Sequence, residues 1–167
     1  MPSEIWTLKR NLPSSVSNRN AKIPSVPFFN INNDDLRMST IIIYASSNGN
    51  TKAVAEYIAS KTGGKAVDVA AVASEDLNSY DTIVIGGRVW AGKLPKDLIE
   101  FVGKNKSVID SKKSAFYVCC MYNEEKGQKQ CDKLASEMGI AKHTFFNKGK
   151  KLVQNDTSSI DAFIASL

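Results

Sequence analysis

The chain has 167 residues, a formal net charge of +5 and 43% hydrophobic residues. That length suits a single domain with a proper core, and no apolar run approaches the roughly 18 residues of a membrane-spanning helix. Cys119, Cys120 and Cys131 show no CxxC spacing, so the set reads as reduced thiols in a cytoplasmic setting rather than a disulfide framework or zinc site.

Residues 1–37 stand apart. They hold four of the five prolines, are rich in Ser and Asn, and show no sustained periodicity. Such a segment buries too little apolar surface to offset its ordering entropy, so a flexible extension is expected. Arg10, Arg19 and Lys22 are diluted by Glu4 and the Asp34–Asp35 pair, which argues against a targeting role. Met38 directly precedes the first strand, so the true start could lie there.

From Met38 onward the punctuation is regular. Thr40–Ala45 is a continuous apolar run of strand length, and Thr51–Lys61 places Val54, Ala55, Ile58 and Ala59 on one helical face before Gly63–Gly64. Lys65–Ala70 predicts a second strand, Ser74–Tyr80 a polar connection and Thr82–Gly86 a third strand. Pro95 opens a helix with Leu98, Ile99 and Val102 as its buried stripe. Ser114–Met121 predicts the fourth strand, Gly127–Met138 a helix and His143–Asn147 the fifth strand. Asp156 or Thr157 caps a last helix with Ile160, Phe163 and Ile164 inward. Strands that are apolar on both faces and alternate with helices indicate an α/β fold: a doubly wound five-stranded parallel sheet of order 2-1-3-4-5 over residues 38–167. In that order the loops after strands 1, 3 and 4 meet at the carboxyl edge, where ligands bind.

Those loops carry unusual residues. Ser46-Ser47-Asn48-Gly49-Asn50-Thr51 sits between a strand and a helix, where unpaired N–H groups and the helix dipole favour a phosphate. It lacks the glycines and lysine of a Walker loop and the three glycines of a dinucleotide fingerprint, which suits a monophosphate held without magnesium. The third loop, Gly86 to Pro95, presents Trp90 as a stacking face among Gly87, Arg88, Val89, Ala91 and Gly92. Gly92 permits a positive φ, so the Ala91–Gly92 peptide is expected to turn over at low cost. After Cys119–Cys120, the fourth loop offers Met121 and a second aromatic face at Tyr122. The alternatives for these loops are an ordinary helix cap, a Trp packed across the sheet edge and a surface Tyr.

Together the loops resemble the flavodoxin family, on Ser46-x-Asn48-Gly49-Asn50-Thr51, on Tyr80-Asp81, on Gly86-x-x-x-Trp90 and on Leu94-Pro95. The resemblance implies non-covalent FMN. Ser46, Ser47, Asn48, Gly49, Asn50 and Thr51 would hold its phosphate, and Gly87, Arg88, Val89, Trp90, Ala91 and Gly92 would line the ribityl chain and flavin. Tyr122, with Cys120 and Met121 beside it, would cover the other ring face. The chain departs from the family pattern at Asn48, at Ala91 directly after the Trp, and in the fourth loop, which lacks Cys-Gly-Asp.

The function implied is electron transfer between redox proteins by a monomer, with no nucleic-acid partner. The alternative is a small FMN-dependent oxidoreductase of the menaquinone-dependent protoporphyrinogen dehydrogenase type. Residues 104–151 contain eleven Lys against five acidic residues. That excess reads first as solvated lysines on helices and loops; the alternative is a basic face for an acidic protein, an anionic substrate or, peripherally, a membrane. A receiver-type regulatory module would share the topology but needs acidic residues at the strand ends, and Ser46–Asn50 offers none. His143, the single histidine, falls at a strand start away from the ligand edge. Without a second histidine or a suitable cysteine partner, a nucleophilic triad has no members to assemble.

Overall fold

A computed structural model describes residues 39–167; the expectations for residues 1–37 and for Met38 lie outside the described residues. Five strands, β1 (Thr40–Ala45), β2 (Lys65–Asp68), β3 (Thr82–Arg88), β4 (Lys113–Cys120) and β5 (His143–Asn147), form one sheet of order β2-β1-β3-β4-β5. Every pairing is parallel. The helices are α1 (Asn50–Thr62), α2 (Lys96–Lys104), α3 (Lys106–Ser111), α4 (Glu124–Met138), α5 (Gly149–Asn155) and α6 (Ser158–Ala165).

Successive strand side chains point to opposite faces, and here both faces are buried. Ile41, Ile43, Ile83, Ile85, Phe116 and Val118 pack with Leu98, Val102, Ile109, Leu134 and Met138 from α2, α3 and α4. Ile42, Val84, Ala115 and Tyr117 pack with Val54, Ile58, Ile160 and Phe163 from α1 and α6. Truncating one of these buried isoleucines to alanine costs about 2–5 kcal/mol. Tyr117 is fully buried, and its hydroxyl donates to Thr51 O at 2.9 Å. That bond ties the middle of β4 to the opening turn of α1.

Several boundaries differ from the sequence expectation. β2 stops at Asp68 rather than Ala70 because the Asp68 carboxylate accepts the Ala70 N–H at 3.0 Å and turns the chain. β3 runs two residues further, so Gly87 and Arg88 belong to the strand. β4 ends at Cys120, which leaves Met121 beyond it. Ile99 is 46% exposed: Leu98 and Val102, four apart, define the buried line, and Ile99 lies about 100° further round the helix. Helices α3 and α5 have no counterpart in the sequence reading.

Lysines of 104–151 stand at both rims of the sheet: Lys112, Lys113 and Lys142 where β4 and β5 begin, and Lys126, Lys148 and Lys150 beyond the carboxyl ends of those strands.

Candidate functional site

The phosphate-type loop is built by its own side chains. Ser46 Oγ accepts the Gly49 N–H at 3.1 Å, and Asn48 Oδ1 accepts the Asn50 N–H at 3.2 Å. These short-range bonds are the reason Ser and Asn favour such turns. Gly49 caps α1 at φ 80°, a left-handed geometry that glycine takes at least cost, and it brings no capping side chain. Thr51 is fully buried, and its hydroxyl has no oxygen or nitrogen hydrogen-bond partner. The Cys119 thiol faces that hydroxyl: burial pushes the thiol up to about 12, and hydrogen bonding with Thr51 works against that rise. A buried hydroxyl with no oxygen or nitrogen partner is uncommon, and this one lies in the first turn of α1, beside the loop.

The ring end is different. Trp90, Met121 and Tyr122 are 75%, 89% and 51% exposed. Large apolar side chains grouped at a surface mark a binding site. A cleft of about 220 Å³ is lined by Ser47, Asn48, Asn50, Arg88, Val89, Trp90, Cys119, Cys120, Met121 and Lys148. A second, of about 530 Å³, is lined by Val89, Trp90, Ala91, Gly92, Cys120, Met121, Tyr122 and Gln130. The two share Val89, Trp90, Cys120 and Met121, so they form one groove, of a size typical for small-ligand sites at roughly 300–1,000 Å³.

Trp90 is carried on a tight turn. Its N–H donates to Lys93 O, and the Lys93 N–H donates back to Trp90 O, both at 3.0 Å. Ala91 and Gly92 both have positive φ, 50° and 76°, as in a type I′ hairpin turn. The positive φ expected of Gly92 is present. Turning the 91–92 peptide over would give the II′ geometry, which wants glycine at the first central position, where this chain has alanine.

Most of the residues singled out from the sequence therefore meet at one rim. Ser47, Asn48, Asn50, Arg88, Val89, Trp90, Ala91, Gly92, Cys120, Met121 and Tyr122 line the groove, while Ser46, Gly49 and Thr51 shape its polar end. Gly87 does not line it: it is buried in β3, where a side chain would strike Leu94 Cδ2 at 2.6 Å.

The structure adds residues that the sequence reading missed. Asn147, at the end of β5, donates from Nδ2 to Met121 O and Tyr122 O at 3.1 Å each, and contacts Asn123 Oδ1. It sets the course of the fourth loop. Gln130 of α4 lines the larger cleft, and its Oε1 is buried without a partner. Lys148 lines the polar cleft from the far side.

Burial pushes the Cys120 thiol up and takes Cys131 to about 12, so the thiols stay protonated and unreactive near neutral pH. His143 faces Asp132 Oδ1 at 2.9 Å and Ala141 O at 2.7 Å. It stands at the opposite rim, where β5 begins, as the sequence suggests.

A family profile described as a flavodoxin domain matches residues 41–155. The chain belongs to the flavodoxin family. Its curated relatives include the protoporphyrinogen IX dehydrogenase [quinone] of Escherichia coli K12, 35% identical over 85 residues. That alignment takes in 48% of this chain and 47% of the relative, so the chain spans about half the length of the curated relatives it matches. Among solved structures, oxidised flavodoxin 1 of Bacillus cereus superposes with a TM-score of 0.52 at 24% identity, over 77% of this chain and 99% of its own. A flavoprotein of Lactobacillus acidophilus in complex with FMN gives a TM-score of 0.52 at 16% identity, over 72% of this chain and 99% of its own. These superpositions agree with the strand order and the helices on both faces.

Proposed function

We propose that this flavodoxin-family protein binds FMN in the groove at the carboxyl edge of the sheet and carries electrons between redox proteins. One observation carries the reading: Ser47, Asn48 and Asn50 of the phosphate-type loop share a cleft with Trp90 and Met121, three strands' loops apart in sequence. The residues fit the cofactor. The Thr51 hydroxyl and the opening turn of α1 suit a phosphate monoester. Trp90 and Tyr122 supply flat apolar faces, on one groove, for the isoalloxazine.

When bound, the flavin supplies the redox chemistry. The chain's own residues hold and shield it. The amides opening α1, with the side chains of Ser47, Asn48 and Asn50, would take the phosphate, and Arg88 adds positive charge to the same cleft. Trp90 and Met121 limit the access of water to the ring, and the wide side of the groove remains open to a partner. The reading includes a monomer acting in the cytoplasm. Among the described residues no helix is long and apolar enough to cross a membrane.

A second reading, an FMN-dependent oxidoreductase acting on a small anionic substrate, has its own support. Behind Trp90 lies a hollow of about 310 Å³ lined by Arg88, Lys93 and Lys96 together with Leu94 and Pro95. Its apolar floor and three cations suit a flat molecule bearing carboxylates. The curated relatives act, by their name, on protoporphyrinogen IX.

The test is to purify the full chain, record its visible spectrum and titrate the colourless form with FMN. A yellow, stoichiometric complex is expected, and a protein that stays colourless overturns both readings. Turnover of protoporphyrinogen with a quinone would favour the enzyme. Rapid reoxidation by a redox protein without such turnover would favour the carrier.

A further inference from the structure

We propose that Lys148, on the connection from β5 to α5, and Lys150, in the first turn of α5, clamp the phosphate monoester of the flavin and make the site select FMN over unphosphorylated flavin. The inference rests on the FMN reading above and assigns the charge that the phosphate loop itself lacks. Ser46 to Thr51 contains no cation. Loop amides and a helix dipole hold an anion through partial charges, and a full positive charge beside them would strengthen that hold.

Four observations place the two lysines there. Lys148 lines the same cleft as Ser47, Asn48 and Asn50, and that lining includes two cations, Arg88 and Lys148, and no carboxylate. The Lys150 N–H donates to Asn50 Oδ1 at 3.0 Å, joining the first turn of α5 to the phosphate loop across 100 residues of chain. Lys150 then folds over the loop: a Cβ added at Gly49 would lie 2.7 Å from its Cε and 2.9 Å from its Nζ. Between them, Gly149 presses against the opening of α1, where a Cβ would meet Asn50 O at 2.6 Å and Val54 Cγ2 at 2.8 Å. Only a residue without a side chain lets the connection approach this closely.

The backbone adds an independent sign. Lys148 adopts φ 52°, ψ 55°, a left-handed conformation that asparagine or glycine would take more easily. A lysine kept in an unfavourable conformation at a cleft points to a role for its side chain. Neither ammonium has an acidic partner within ion-pair distance among the described residues. Both are exposed, so no packing explains them.

The experiment is a titration of the full chain with FMN and, separately, with riboflavin, at low and high salt. It compares wild type with Lys148→Gln, Lys150→Gln, the double variant, and Lys104→Gln as a control on the opposite rim. For FMN we expect a loss of about tenfold for Lys148→Gln, several-fold for Lys150→Gln and more for the pair, as for a charge-assisted hydrogen bond. Riboflavin affinity should be unchanged in every variant, which also reports that the fold is intact. Lys148→Arg should restore FMN binding, and added salt should weaken FMN in wild type more than in the double variant. Equal losses for FMN and riboflavin, or an FMN affinity unmoved by the double variant, would overturn the clamp while leaving the FMN reading in place. A wild-type chain that binds no flavin would overturn that reading and the clamp with it.

Discussion

The two ends of the groove are built on opposite principles. At the phosphate end, Ser46, Asn48 and Asn50 are bonded to backbone groups within the loop or in the first turn of α5, and Thr51 is buried. At the ring end, Trp90, Met121 and Tyr122 project as exposed apolar area, held by the backbone of a tight turn and by Asn147 beneath them. The first end is organised before any ligand arrives, so little ordering entropy is lost on binding. The second supplies surface whose burial awaits a flat ligand. Substitutions at the phosphate end should therefore move stability and phosphate recognition together, whereas truncating the exposed ring-end side chains should move flavin affinity alone.

The largest expected effect is at the ring end. Trp90→Ala should weaken FMN and riboflavin alike by about 2 kcal/mol, the scale of a lost stacking contact. The melting temperature of the ligand-free chain should hardly move, because the indole is 75% exposed. Flavin fluorescence quenching and thermal melts check both halves, and a large fall in melting temperature would break the comparison.

Thr51→Val sharpens it from the other side. The buried hydroxyl has only the weakly bonding Cys119 thiol against it, so its removal should change the stability of the ligand-free chain by no more than about 1 kcal/mol. The same change should weaken FMN by a similar amount and leave riboflavin untouched. Asn147→Ala, which frees the Met121 and Tyr122 carbonyls, should cost about 1 kcal/mol in denaturant unfolding and loosen the ring end. Ala91→Gly should stabilise the Trp90 turn by roughly 0.5–1 kcal/mol, since φ 50° then carries no side-chain penalty.

The smallest effect concerns pH. Hydrogen bonds from His143 and Gln128 hold Asp132 below the usual carboxylate range, and Thr157 and Tyr57 do the same for Asp161. A lowered folded-state pKa means stability that is complete above the unfolded value near 4 and is lost as pH falls through the folded one. Denaturant midpoints should be flat from pH 7 to about 5 and decline slightly below about pH 4. Asp132 is exposed and Asp161 partly so, and a steep loss above pH 5 would point to a different group.

The sheet was legible because β1, β3 and β4 are runs apolar on both faces, separated by helices with clear apolar stripes. Helices α3 and α5 were not. They have six and seven residues, and neither has a side-chain cap to announce it. In α3 the buried anchor is Ile109, and in α5 it is Gly149. Of the site, the segment Ser46 to Thr51 and the glycine-flanked Trp90 could be read because each lies within one loop. Asn147, Lys148, Lys150 and Gln130 could not, since their part depends on β4 lying between β3 and β5. Gly149 was a usable signal: a glycine beside two lysines directly after a strand suggests a close backbone approach. The place of Gly87 also depends on the tertiary fold: a side chain there would meet Leu94 and Leu98.

The most direct test of the account is amide chemical-shift mapping of the isotopically labelled full chain during titration with FMN. The account predicts shifts concentrated at residues 46–51, 88–92, 120–122 and 147–150, with the amino edge around Lys113 and Lys142 unmoved. Saturable shifts gathered at the amino edge, or a titration in which residues 46–51 and Trp90 do not respond together, would contradict it.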